Sequence, residues 1–190
     1  MLISFTGAQC TGKTTLLNLC KERYNTSEWN YVDEVTRKVM REGLKINEDG
    51  DDITQLFILK EHLQNHVICE DEKWILDRCI LDGYVFTKWL HAQGSVETWV
   101  LNYARSLLSK LGERLDLVLY TEPDDIPIED DGERSINVQF RNDIIDIYED
   151  LISNSMSTPG KDTWRGKVVR LSGDVNTRMD IINNHINNLK

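Results

Sequence analysis

Residues 7–14 read Gly-Ala-Gln-Cys-Thr-Gly-Lys-Thr, two glycines with four residues between them, followed by an ammonium and a hydroxyl. The pattern GxxxxGK[ST] suits one chemistry, the grip on a polyphosphate. Gly7 and Gly12 allow backbone shapes that a side chain would block. The N–H groups of Ala8, Gln9, Cys10 and Thr11 can then converge on phosphate oxygens. Lys13 brings a positive charge to the β and γ phosphates, and the Thr14 hydroxyl can ligate Mg²⁺. Thr15 adds a second hydroxyl, for which an ordinary place in a helix's first turn is the simpler account. The ligands expected are ATP and Mg²⁺.

Further charged residues follow short apolar runs. Asp33-Glu34 comes after the second run, with Arg37 one helical turn later. Glu34 is expected near the γ-phosphate, as general base toward an acceptor hydroxyl or as a Mg²⁺ ligand through water. Arg37 would bind a substrate anion, and Asp33 would cap a helix. After the third run, Asp77 has the placement of a metal-holding carboxylate. Arg78 would clamp a phosphate or polar substrate group, and Asp82 would bind substrate or pair with Arg78. Arg134 and Arg141 lie seven residues apart, and either belong to a solvated loop or close over bound phosphates. The 171–174 loop would border an adenine, or Asp174 would simply cap the last helix. His62 and His66 are four apart, a metal-capable spacing, but no third ligand accompanies them. They are expected on an exposed helix face.

These residues need a scaffold that puts strand ends together. Apolar runs at 2–5, 29–32, 74–76, 117–120 and 167–171 read as strands. Amphipathic stretches at 13–24, 34–42, 53–71, 80–92, 96–111, 138–154 and 175–189 read as helices. The alternation predicts an α/β domain, a parallel sheet covered on both faces, with ligands at the carboxyl ends of its strands. The stretches 45–52 and 123–134 are polar loops.

The 190 residues fit one domain, and the apolar share of 40% and charged share of 28% are ordinary for a folded protein. The net charge of −10, without a basic block, weighs against nucleic acid as partner. No apolar run approaches the ~20 residues of a membrane span, and no signal peptide is expected, since a polar glycine loop follows soon after Met1. Cys10, Cys20, Cys69 and Cys79 show no metal-ligand spacing and read as reduced thiols of a cytoplasmic protein. Most of the tryptophans are expected in the core or a pocket wall.

Four blocks carry a family likeness: GAQCTGKTT at 7–15, VDEVTRKVM at 32–40, WILDRCILDGY at 74–84 and DIPIEDDGERS at 125–135, the last followed by Gln139-Phe140-Arg141. Together they resemble small P-loop kinases of the AAA_28 family, which includes the nicotinamide-riboside kinase domain of bacterial NAD-regulator proteins. The resemblance implies a nucleotide kinase-like P-loop NTPase fold, a three-layer sandwich on a five-stranded parallel sheet of order 2-3-1-4-5. It implies a lid at about 123–143 bearing Arg134 and Arg141, and a substrate side formed by Glu34 and Arg37. Asp77, Arg78 and Asp82 are similar to the DR motif of deoxynucleoside and thymidylate kinases, whose arginine contacts substrate near the transferred group. No adenylyltransferase-type second domain is evident, which counts against nicotinamide riboside as acceptor.

The reading is a Mg-ATP-dependent kinase of a nucleoside, a nucleoside monophosphate or a related small molecule, in a bacterium or a phage-infected cell. Its catalytic set is Lys13, Glu34, Asp77, Arg78, Arg134 and Arg141; Thr14 and Asp77 hold metal. A homodimer is compatible with it. The alternative is an NTP-hydrolysing switch acting on a protein or nucleic-acid partner.

Overall fold

The computed structural model describes residues 1–24, 28–69, 71–123, 135–153, 164 and 166–189. Five strands, β1 (Leu2–Thr6), β2 (Asn30–Val32), β3 (Trp74–Asp77), β4 (Leu117–Thr121) and β5 (Val168–Leu171), form one sheet in the order β2-β3-β1-β4-β5. Every pairing is parallel, as near-continuous apolar strands require when both faces are covered. The expected sheet order is the observed one.

Among the described residues the helices are α1 (Lys13–Arg23), α2 (Val35–Arg41), α3 (Asp52–Ile68), α4 (Ile80–Ala92), α5 (Thr98–Leu111), α6 (Val138–Ser153) and α7 (Val175–Asn187). The polar stretch at 45–52 contains a single 3₁₀ turn, Asn47–Asp49.

The period-2 alternation of β1 divides the core. Ile3 and Phe5 face α1 and α7, packing with Leu16, Leu17, Cys20, Met179 and Ile182. Leu2 faces the other layer with Leu76, Val118 and Tyr120, against Tyr84, Val85, Val100, Ala104, Phe140 and Tyr148 of α4, α5 and α6. Ser4 and Thr6 share that second face and are fully buried. Thr6 is polar there for a reason that the site explains.

Side-chain oxygens accept first-turn N–H groups at helix starts, as Asn137 does from the Phe140 N–H at 3.1 Å before Val138–Ser153. Asp51 accepts from the Thr54 N–H at 2.9 Å, and Asp174 from the Thr177 N–H at 2.8 Å. Asp33 is a correction: Glu34 occupies the N-cap position of α2 without a side-chain capping bond. The Asp33 carboxylate is exposed and instead accepts from Lys21 at 2.6 Å. All four cysteines are buried, and none forms a disulfide. Among the described residues no helix is long and apolar enough to cross a membrane.

Candidate active site

β1 ends in the glycine loop because the chain must turn sharply back toward α1. Gly7 takes φ +134°, and a Cβ there would lie 2.6 Å from the Thr121 hydroxyl and 2.8 Å from its carbonyl. Gly12 (φ 82°) and Cys10 (φ 54°) also have left-handed backbone, the geometry that turns successive N–H groups toward one concavity. The Thr11 hydroxyl donates to the Ala8 carbonyl at 3.0 Å and touches the Thr121 hydroxyl at 2.6 Å.

Lys13 is buried, its ammonium donating to the carbonyl of Gly7 at 2.9 Å and to that of Ala8. Burial pushes its pKa down to about 7, helped by the Arg78 charge and opposed by Asp82, Asp77 and Glu34.

The loop is braced from the far end of the chain. Arg178 of α7 is 2% exposed. It donates to the carbonyls of Gly173 (2.8 Å), Thr11 (2.8 Å) and Glu122 (3.2 Å). It thereby joins the loops after β1, β4 and β5.

Arg78 is the hub of the acidic cluster. Its backbone has φ 75°, a strained conformation for a non-glycine residue that sits where β3 gives way to α4. Its guanidinium donates to Glu34 Oε1 at 2.9 Å, Asp82 Oδ1 at 2.8 Å and the Gly7 carbonyl at 3.2 Å, and lies over the Phe86 ring. Asp82 is engaged from every side. Besides Arg78 it accepts from the Thr6 hydroxyl at 2.8 Å, the Tyr148 hydroxyl at 2.7 Å and the Cys79 N–H at 3.0 Å. Thr6 is thus polar inside the core in order to hold Asp82, and Asp82 positions Arg78. Of the two expected roles for Asp82, the pairing with Arg78 is present.

Burial raises the Glu34 pKa, but Arg78, the Thr36 hydroxyl and Lys13 outweigh it and hold the group at about 2. Asp77 behaves oppositely: burial, then the Glu34 charge, push its carboxyl up to about 6 against Arg78 and Lys13. Asp77 Oδ1 is buried with no hydrogen-bond partner. An orphaned hard oxygen beside a phosphate loop fits Mg²⁺, with Thr14, half-buried at the start of α1, as the second protein oxygen.

Two cavities adjoin at the Glu34–Arg78 pair. One is lined by residues Gln9 to Thr14 together with Glu34 and Arg78. The other is lined by Glu34, Arg78, Asp82, Gln55, Ile58, His62, Gly83 and Phe86. A third space brings Arg37 beside Gln9, Glu34 and Arg78.

The structure therefore gathers Gly7 to Thr14, Glu34, Arg37, Asp77, Arg78 and Asp82. Arg37 is partly exposed, its Nε 3.7 Å from Glu34. Thr15 is exposed on α1. Arg141 Nη2 donates to the Pro123 carbonyl at 3.2 Å; Arg134 and most of the 123–143 segment lie outside the described residues.

His62 and His66 are a second correction. Both are buried, at 2% and 0% exposure, because they share the face of α3 that carries Gln55, Ile58 and Leu59, and Gly83 of α4 leaves room for the His62 ring. The solvent side of α3 carries Ile53, Val67 and Ile68 instead. Gln55, Phe86, Thr121 and Tyr148 had no motif to mark them. Arg178 stood out only as a charge within an otherwise amphipathic helix.

The family model described as AAA domain, AAA_28, matches residues 2–178. The fold is similar to that of deoxyadenosine kinase from M. mycoides, solved with the products dCMP and a flexible dCDP, at a TM-score of 0.70 and 17% identity over 100% of both chains. No protein of curated function matches the chain. The match over nearly the whole length places this chain in the AAA_28 family of P-loop AAA domains.

Proposed function

We propose that this protein is a Mg-ATP-dependent kinase whose acceptor is the hydroxyl of a nucleoside. One observation carries the reading. The phosphate-loop cavity and a separate cavity toward α3 and α4 share Glu34 and Arg78 as a common wall. A triphosphate tail in the first would present its last phosphorus to a small molecule in the second. The deoxyadenosine kinase of similar fold supports the same class of reaction.

The balance of charge favours a nucleoside over a nucleoside monophosphate. Arg78 is already neutralised by Glu34 and Asp82, so an incoming phosphate would find no surplus positive charge there. A neutral hydroxyl fits: Glu34 accepts its hydrogen bond and aims its oxygen. With a pKa held at about 2, Glu34 is a weak base, which suffices where the transferring phosphoryl is loosely bonded and the acceptor proton leaves late. Thr14 and Asp77 would hold Mg²⁺, which would supply charge neutralisation for the phosphates. Lys13 and the loop N–H groups orient the tail, and Arg134 and Arg141 close over it, excluding water.

The test is ATP turnover against panels of nucleosides and nucleoside monophosphates. Strong stimulation by one nucleoside, with a phosphorylated product by mass spectrometry, supports the proposal. Turnover stimulated only by a protein or nucleic acid would replace it with the switch reading.

A further inference from the structure

Asp82 is 2% exposed, and each oxygen of its carboxylate accepts two hydrogen bonds. Oδ1 takes Arg78 Nη1 at 2.8 Å and the Tyr148 hydroxyl at 2.7 Å. Oδ2 takes the Thr6 hydroxyl at 2.8 Å and the Cys79 N–H at 3.0 Å. Donors on both oxygens fix the plane of a carboxylate. With Tyr148 on one lone pair of Oδ1, the other sets the direction from which Arg78 must approach. Thr6 and Tyr148 are both fully buried, and their hydroxyl oxygens lie 3.4 Å apart. Burial and the neighbouring Asp82 charge push the Tyr148 pKa well up, so the phenol keeps its proton and remains a donor.

Three elements thus meet on one side chain. Thr6 ends β1 immediately before Gly7, Asp82 stands in the first turn of α4, and Tyr148 comes from α6. α6 reaches Arg78 by a second route. Phe140, about two turns before Tyr148 on the same buried face, packs edge-on against Phe86 with ring centroids 5.9 Å apart. The Arg78 guanidinium lies over that Phe86 ring, 5.4 Å from its centroid. Arg78 needs such support, because a non-glycine residue at φ 75° persists only where its surroundings over-determine it. Packing alone would be met by valine at position 6 and phenylalanine at 148. The two hydroxyls are what the chain adds to packing, and both donate to Asp82.

We propose that Tyr148 and Thr6 are positioning residues for phosphoryl transfer. Through Asp82 they aim the Arg78 guanidinium in the wall between the phosphate-loop cavity and its neighbour. The inference rests on the nucleoside-kinase reading and adds α6 to the elements that build the site.

The test uses Tyr148→Phe and Thr6→Val, each of which removes one hydroxyl and keeps the packing, in the full chain with Mg-ATP and the preferred nucleoside. Tyr148→Phe is expected to lower kcat by about tenfold, and Thr6→Val by a similar or smaller factor. KM for ATP should change by less than about twofold, since the phosphate loop keeps its own contacts. A purely structural role would lower the melting temperature and leave kcat per folded molecule unchanged. The path through Arg78 is read in a double-mutant cycle. Arg78→Lys keeps the charge but not the fork that the carboxylate plane directs. Adding Tyr148→Phe to it should therefore lower kcat by less than about twofold.

A folded Tyr148→Phe enzyme with the wild-type kcat would overturn the inference while leaving the kinase reading intact. An undiminished loss on top of Arg78→Lys would overturn it too, because the effect would then bypass Arg78. If Tyr148→Phe fails to fold, Thr6→Val and its own cycle with Arg78→Lys decide on the same terms. A wild-type protein that transfers to no nucleoside removes both readings together.

Discussion

Arg178 Nη1 donates to the carbonyl of Thr11 at 2.8 Å, spanning 167 residues of chain to fix the middle of the phosphate loop. The same guanidinium holds the carbonyls of Gly173 and Glu122. The loop's shape is thus set by α7 as well as by its own glycines.

Replacing Arg178 with Met removes these charge-assisted bonds and leaves buried carbonyls unpaired. The expected result is a melting temperature lower by several degrees and ATP affinity weakened by about tenfold or more, from a loss on the order of 1.5–3 kcal/mol per bond to a charged group. Arg178→Lys keeps the charge but not the fork and should recover only part of both. Calorimetric ATP binding at one temperature, alongside thermal melts, reads the two effects separately.

The glycine loop was legible because its function fixes its sequence: left-handed backbone at Gly7 and Gly12, then a cation and a hydroxyl. The sheet order came with the resemblance, and the strands were legible because buried parallel strands read as apolar runs. The cavity was not legible. Its lining comes from α3 and α4, whose facing sides depend on how two helices meet. His62 read as exposed because no third metal ligand accompanies the pair, whereas the structure buries it on the face of α3 that carries Leu59. The Thr6–Asp82–Tyr148 network was invisible for a related reason. Its members are 76 and 66 residues from Asp82 in sequence, and each alone is an ordinary polar residue.

Asp77 provides a test in pH. Its folded pKa, about 6, stands above the usual 3.8, so the folded state holds the proton more tightly than the unfolded chain. The resulting loss of stability is absent below pH 3.8 and complete above pH 6. Asp77→Asn should therefore raise the melting temperature at pH 8 and change it little at pH 4. Added Mg²⁺ with ATP should stabilise the wild type more than the variant, and the variant should lose at least about a hundredfold in transfer rate. Melts at the two pH values with and without Mg-ATP check each arm.

Glu34 has the opposite sign. Its folded pKa of about 2 lies below the usual 4.5, so it adds stability above pH 4.5 that is lost as pH falls through 2. Its carboxylate stays ionised across the working range. The kcat profile should consequently show no acidic limb belonging to Glu34 between pH 5 and 8. Glu34→Gln leaves one side of Arg78 unpaired and misaims the acceptor; kcat should fall by about a hundredfold or more with a smaller change in KM for ATP. Steady-state kinetics over pH 5–8 on both proteins measures this.

Lys13 couples nucleotide binding to proton uptake. Its folded pKa of about 7 lies below the usual 10.5. Between these values the unfolded chain holds more protons than the folded one, so stability rises with pH across that window. A triphosphate laid against the loop supplies the negative charge that burial denies the ammonium, and raises its pKa again. At pH 8.5 the free protein holds Lys13 largely neutral, so ATP binding should take up close to about one proton per site. Calorimetric titrations in buffers of different ionisation enthalpy measure that number directly. Lys13→Met should abolish the uptake, raise the melting temperature at pH 7 by removing a buried charge, and eliminate phosphoryl transfer. A variant that kept full transfer would show that the ammonium does not brace the phosphates.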